Sequence, residues 1–353
     1  MNLSLKEIEE LLLGKDDQWL FSEAGRIRDE VFGKSVFLRG VIEFSNYCHD
    51  NCLYCGLRWE NRKLRRYRVP FDQIIETAEV GYLEGLRTIV LQSGNDYFYK
   101  SHEVSKLIRE ILSRIDVVIT LSLGERRFEE LAEWREAGAE RYLIKVETFD
   151  SEIYEKYRPG RSLDERLTMI KWLKELGYEA GSGIIVGLPG YTIEKLAKDL
   201  VKLTELELEM IAVGPFIPHP DTPLGSHPHG SALLTVRCIA ILRILNPYAN
   251  IPSTSALASI TDYSDFPEFL KEQMDLKFLD WRAAGLIAGA NVLMPSITPS
   301  DVRVLYNIYP GKNVKCHCSI EEVNYLRNLV EGVRLKVEIS KGYSPRRFYA
   351  KGS

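Results

Sequence analysis

Three cysteines, Cys48, Cys52 and Cys55, fall inside the stretch YCHDNCLYCGLR with the spacing C-x3-C-x2-C. Thiols this close together in one loop point to metal ligation. A structural zinc ion is normally closed by four ligands, often as two paired knuckles. This chain has no second C-x2-C: its other cysteines are Cys238, in the apolar run TVRCIAILRIL, and Cys316 and Cys318 near the far end. His49 and His317 do not stand at zinc-finger spacing. An iron–sulfur cubane takes one protein ligand per iron, usually a thiolate. Three cysteines leave one iron open, and an open metal position is where a catalytic metal takes its substrate. The missing fourth thiolate is the functional point.

Such a loop needs a frame. Short apolar, β-rich runs recur at 36–44, 87–94, 117–124, 141–148, 180–190, 209–217, 250–259 and 289–297, with helix-period stretches in most of the gaps. Strands alternating with helices predict a parallel sheet of βαβ units. Eight of them predict an α/β fold of the (β/α)8 TIM-type barrel class, with an open doubly-wound sheet as the alternative. The organisation expected is an N-terminal helical extension over 1–33, the barrel over 34–315 with an insertion at about 260–281, and a tail over 316–353 packing on the barrel. Barrel chemistry sits at the C-terminal strand ends. There the sequence places Glu43, then Gln92, Ser93 and Gly94, then Ser122 and Glu125, then Glu147 and Thr148, then Ser253, Thr254 and Ser255. Any one of these is equally well explained as a polar residue capping a loop. Their repetition around the barrel is the argument for a ligand pocket.

Composition narrows the class. Of the 353 residues, 45% are hydrophobic and 27% charged, as in a globular protein, and the net charge of −4 gives no broad basic field. Neither nucleic acid nor a membrane surface is expected as a partner. The run RKLRRYR at 62–68 is local and reads as a solvated loop or helix start. No apolar run is long enough to span a bilayer. The first residues, MNLSLKEIEELLLGKDD, read as an acidic amphipathic helix rather than a signal peptide. A cytoplasmic monomer is expected, in a compartment where thiols stay reduced.

The C-x3-C-x2-C spacing, with Tyr54 just before the last cysteine, resembles the signature of the radical S-adenosylmethionine (SAM) superfamily. The stretches FSNYCHDNCLYCGLR, TIVLQSG, TLSLGE, ELGYEAGSGIIVGLPG, GPFIPHPDTPL, GANVLMPSITPS and LYNIYPGK resemble the FeFe-hydrogenase maturase HydE family. The resemblance runs from about residue 30 to 312, and methylornithine synthase and biotin synthase are its cousins. It implies a 4Fe–4S cluster on Cys48, Cys52 and Cys55, with SAM chelating the open iron. It also implies reductive cleavage of SAM to a 5′-deoxyadenosyl radical that attacks a sulfur- or iron-linked small substrate. Carried over residue by residue, Tyr54 packs near the adenine, and Gln92, Ser93, Gly94, Ser122, Glu147 and Arg166 contact SAM. Arg141, Thr254, Ser255, Tyr306 and Tyr309 face the substrate, while Gly187, Pro189 and Gly190 shape the loop after the fifth strand. An electron donor such as ferredoxin or flavodoxin and an anaerobic setting follow.

The chain also departs from that family. Asn95 stands where a Glu is usual, and Lys145-Val146 where Arg-His precedes the Glu, positions expected at the pocket wall. The stretch 260–281 is expected to form an extra helix or lid. Cys316 and Cys318 make a weak second metal site, better read as a loop without metal. Cys238 reads as core packing. Two other functions stay open: a methylornithine-synthase-like mutase acting on an amino acid, and a non-catalytic, metal-stabilised barrel or electron carrier. A carrier would want a fourth cysteine nearby.

Overall fold

A computed structural model describes residues 3–312 and 319–349. Cys316 and Cys318 lie outside the described residues. The elements run α1 (Leu5–Leu12), α2 (Asp17–Phe32), β1 (Ser35–Leu38), β2 (Gly40–Ser45), α3 (Phe71–Leu83), β3 (Thr88–Ser93), α4 (Ser101–Arg114) and β4 (Val118–Ser122). They continue through α5 (Phe128–Glu136), β5 (Arg141–Leu143), α6 (Ser151–Tyr157), α7 (Leu163–Glu175), β6 (Glu179–Val186), α8 (Ile193–Glu205), β7 (Met210–Pro215) and α9 (Ala232–Leu245). The last are α10 (Glu268–Lys271), α11 (Trp281–Ile287), β8 (Val292–Leu293), α12 (Ser300–Arg303), α13 (Ser319–Gly332), β9 (Lys336–Val337) and α14 (Arg346–Tyr349).

Strands β2 to β7 form one parallel sheet in chain order. The ladder does not run continuously around the circle. Beyond β7 it thins to isolated parallel bridges, Met210 to Asn250, Pro252 to Val292 and Val41 to Ser296, and β8 pairs with β1. Pro252 has no N–H to give a ladder, and the chain turns into a 3-10 helix at Leu257–Ser259, which is why the strand expected over 250–259 is reduced to isolated bridges. The architecture is the (β/α)8 TIM type with one thinly bonded side.

Helices cover the strands on their outer faces, so strand β2 (GVIEFS) is buried along its whole length. Helix α8 shows how a covering helix is specified. Thr192 caps it by accepting from Lys195 N at 3.2 Å, and Leu196, Ala197, Leu200 and Leu203 make one buried stripe. Helix α9 (ALLTVRCIAILRIL) is apolar nearly all round, and Cys238 is buried within it. It contacts α1 and α2, so the N-terminal helices cover a face that the barrel alone would leave in water.

The C-terminal stretch closes the end of the barrel where the strands begin. β9 pairs with β1, matching Ser35 to Lys336 and Val36 to Val337. Beyond it, the Gly342 carbonyl accepts from Arg39 Nη2 (3.2 Å), Arg141 Nη2 (3.0 Å) and Asn250 Nδ2 (3.0 Å). The 260–281 stretch forms α10 and a 3-10 turn at Leu276–Phe278. It packs sideways, Phe269 against Phe21, Phe266 against Trp281 and Phe278 against Tyr325. None of its residues lines the cavity described below, so it is no lid. Among the described residues no helix is long and apolar enough to cross a membrane.

Candidate active site

The cysteine loop leaves the C-terminal end of β2 and is fastened on three sides. Asn46 Nδ2 donates to Arg65 O and Leu305 O, both at 2.9 Å, and Asn46 Oδ1 accepts from Tyr67 N at 2.8 Å. Arg66 donates to the carbonyls of Asn46 (2.5 Å), Leu57 (2.9 Å) and Arg58 (2.8 Å). Gly56 N donates to Ile308 O at 2.9 Å. A side chain at Gly56 would meet Asn307 O at 2.1 Å, so only glycine lets the loop lie against the 305–309 stretch. On the side of β3, Asn95 N donates to Cys48 Sγ at 3.3 Å and His49 N to Asn95 O at 2.9 Å.

Cys48, Cys52 and Cys55 are free thiols that line one cavity of about 350 Å³. Gln92, Ser93, Gly94, Ser122, Glu147, Arg166, Thr254, Ser255, Tyr306, Tyr309 and Tyr54 line the same cavity. Burial pushes all three thiols up, Cys48 to about 12, with Asp50 and Cys52 adding to its shift. Such thiols hold their protons until a metal displaces them. Among the described residues no three His, Cys, Asp or Glu side chains converge tightly enough to hold a single ion. Three cysteine sulfurs lining one cavity are a donor set of the kind that an iron–sulfur cluster takes.

Around the thiols lies an ionic network that the sequence reading missed. Asp50 pairs with Arg158 at 3.2 Å and with Arg161. Glu125 pairs with Arg161 at 3.1 Å and with Arg166 at 2.7 Å. Burial opposes ionisation of Asp50, yet Arg158, Asn95 and Arg161 hold its carboxyl below the usual range. Three guanidiniums face two carboxylates, and Arg158 and Arg166 favour the thiolate of Cys52. The signal was RPGRSLDER, three arginines within nine residues in the connection after β5. Asn95 spends its side chain here, donating to Asp50 Oδ1 (3.0 Å) and accepting from Arg126 (2.9 Å). A second missed pair is Glu43 with Lys312, 2.7 Å apart and both buried. Burial resists the charge on Glu43, but Lys312, Ser296 and Thr298 outweigh it and hold the carboxyl down. Lys312 lines the cavity beside Tyr309, whose hydroxyl shares a hydrogen bond of 2.8 Å with Ser255 Oγ.

Glu147 has φ 70, a left-handed conformation that costs a non-glycine residue energy. Its N–H donates to Gly183 O and its carbonyl accepts from Ile185 N, both at 2.9 Å, which hold it in place. Lys145 Nζ stands 3.1 Å from its carboxylate. Gly187 also has positive φ, and a side chain there would meet Gly230 Cα at 2.7 Å. The Pro189 carbonyl accepts from Tyr157 at 2.8 Å, while Gly190 has positive φ with open space around it.

Two expectations are corrected. Arg141 does not face the cavity. It begins β5, is 0% exposed, pairs with Glu179 and donates to Thr88 Oγ1 (3.0 Å) and to the carbonyls of Lys341 and Gly342, at the opposite end of the barrel. Val146 is not in the wall either. It is fully buried, and the residues on either side of it, Lys145 and Glu147, line the cavity.

Residues 42–203 match the radical SAM superfamily. The FeFe hydrogenase maturase subunit HydE of Thermotoga maritima is 45% identical over 293 residues, 83% of this chain and 79% of that protein. A 3-methylornithine synthase of Methanosarcina acetivorans is 32% identical over 304 residues, 86% of this chain and 79% of the other. The crystal structure of methylornithine synthase superposes with a TM-score of 0.81 at 25% identity, covering 96% of this chain and 95% of that one.

Proposed function

The chain belongs to the HydE family within the radical SAM superfamily, and we propose that it turns reductive SAM cleavage on a sulfur- or iron-linked small substrate, in hydrogenase cofactor maturation or a related metallocofactor pathway. The observation that carries this reading is the opening of Cys48, Cys52 and Cys55 into one cavity with polar strand ends and room for a ligand. The family's cofactors, a 4Fe–4S cluster and SAM, supply the one-electron cleavage of a sulfonium to methionine and a 5′-deoxyadenosyl radical.

The chain's own residues do the rest. Cys48, Cys52 and Cys55 give three thiolates to the cluster. Ser122, Glu147 and the strand end Gln92-Ser93-Gly94 suit an ammonium and ribose hydroxyls, and Arg166 suits a carboxylate. Tyr54 supplies a ring for the adenine. Thr254, Ser255, Tyr306 and Tyr309 hold the substrate, with the hydroxyls of Ser255 and Tyr309 already linked. The barrel wall keeps water from the reacting groups. The same reading assigns a one-electron donor such as ferredoxin or flavodoxin, no nucleic-acid partner, a monomer, and an anaerobic cytoplasmic setting.

A mutase is the second reading, favoured by the 32% identity to 3-methylornithine synthase and by Lys145 in the cavity wall. Anaerobic turnover with dithionite and SAM separates the two. Faster 5′-deoxyadenosine formation with a cysteine-ligated iron carbonyl cyanide complex supports the first. Appearance of 3-methylornithine from an amino-acid mixture overturns it in favour of the second.

A further inference from the structure

The face around Cys48 is aromatic and basic. The exposed ring of His49 lies against Trp59 (centroids 5.8 Å apart, planes 9° apart) and Tyr97 (5.2 Å). Arg62 stands over Trp59 at 4.6 Å and Arg126 over Tyr97 at 4.7 Å. Arg68 stands over both Tyr47 (3.7 Å) and Phe98 (4.1 Å). Trp59, Tyr97 and Phe98 are nonetheless 46%, 44% and 59% exposed. Large rings left together in water, on His49 beside Cys48 and on its neighbours Trp59, Tyr97 and Phe98, mark a contact surface.

Charge has the same focus. Residues 47–68 carry six Lys and Arg against Asp50 and Glu60, a net +4. The whole chain carries −4, so the remaining residues sum to −8. Part of this positive charge is answered locally, Arg58 by Glu60, Lys63 by Asp221 and Arg68 by Asp96. Arg62 and Arg65 are exposed and form no ion pair among the described residues. An acidic partner is attracted to this net-positive stretch of a net-negative chain, which helps to orient it as it arrives.

We propose that this face docks a small acidic one-electron carrier protein. The proposal rests on the reading that Cys48, Cys52 and Cys55 hold a reducible centre. The docked carrier is oxidised by one electron, which passes to the centre beside Cys48; no bond is made or broken and no proton moves. Contacts of this class are small and transient, so affinity comes from a few exposed rings and screened charges and falls with salt.

The test is titration calorimetry of the reconstituted protein with an acidic flavodoxin at low and high salt. A basic cytochrome, a short RNA and anionic phosphatidylserine vesicles serve as alternative probes. The variants are Arg62→Glu/Arg65→Glu, Trp59→Ala, and a control reversal at the other barrel end, Lys174→Glu/Lys336→Glu. The expected result is salt-sensitive flavodoxin binding, weakened by about tenfold or more in the first two variants and unchanged in the control. Dithionite-driven 5′-deoxyadenosine formation stays the same in all of them. Flavodoxin binding that ignores Arg62, Arg65 and Trp59, or binding of RNA or vesicles in its place, overturns the proposal. Failure of the wild-type protein to cleave SAM with dithionite overturns the functional reading instead, and the binding data tell the two failures apart.

Discussion

A methyl group at Gly94 should part the cysteine loop from the strand that positions it. An alanine Cβ there would lie 2.2 Å from Tyr47 O and 2.8 Å from Cys48 Cβ, whereas real Cβ contacts essentially never fall under 3.0 Å. Neither atom is the loose end of a side chain, so the two segments must separate by about 0.8 Å at the carbonyl. That movement strains the bonds between them, Gly94 N to Ser45 O (3.1 Å), Asn95 N to Cys48 Sγ (3.3 Å) and His49 N to Asn95 O (2.9 Å). Overpacking of this kind costs about 1–3 kcal/mol, which a domain with roughly 5–15 kcal/mol of stability survives. A displacement near 1 Å at a reacting centre costs on the order of 100-fold in rate. Gly94→Ala should therefore fold, with a modestly lower urea midpoint, and form 5′-deoxyadenosine about 100-fold more slowly. Gly177→Ala is the control: Gly177 has φ +74 and nothing within 4 Å, so it costs about 1–2 kcal/mol of backbone strain and leaves turnover intact. Circular dichroism in urea, iron content and chromatographic 5′-deoxyadenosine assays read all three quantities. Near-wild-type turnover in Gly94→Ala, or an equal loss in Gly177→Ala, would refute the reasoning.

Three further outcomes are expected. Arg141→Met strands the buried Glu179 carboxylate, so it should cost about 3–5 kcal/mol in denaturation while the KM for SAM of the folded protein stays put; a raised KM would return Arg141 to the pocket. Lys312→Met should cost a similar amount, about 3–5 kcal/mol, and adding Glu43→Gln should recover part of it; a cycle with no coupling would show that the pair carries nothing. Asp96 accepts from Ser45 Oγ (2.7 Å), Arg68 Nε (2.8 Å) and Phe98 N (3.1 Å). Burial resists its charge, but these donors hold its pKa below the usual carboxylate value of about 4. A depressed folded pKa stabilises fully above the unfolded value and is lost as pH falls through the folded one. Asp96→Asn should thus cost about 2–4 kcal/mol at neutral pH, with the gap to wild type closing below about pH 4; a gap constant down to pH 2.5 would contradict the assignment.

The cysteine loop and the strand ends were legible because both signals are local. A thiol spacing and a polar residue closing an apolar run need no knowledge of what lies across the barrel. Arg141 was misread although the chain held the correction. A strand rises about 3.3 Å per residue, so Arg141, six residues before Glu147, starts near the opposite end. Alternation likewise sends Lys145 and Glu147 to one face and Val146 to the other. The network of Asp50, Glu125, Arg158 and Arg161 was not legible in the same way. Its members come from three loops far apart in sequence, and each alone looks like a surface charge. Glu43 and Lys312 pair across 269 positions for the same reason. The basic run at 62–68 shows a third case: charge and aromatic residues are visible in the chain, but only the folded loop gathers them beside Cys48.

The most direct test of the central claim is electron paramagnetic resonance of the anaerobically reconstituted, reduced protein with and without SAM. Three thiolates and one open iron predict a 4Fe–4S signal that SAM perturbs, lost when Cys48, Cys52 or Cys55 is replaced by serine. Zinc uptake in place of iron, or a cluster signal indifferent to SAM, would contradict the account.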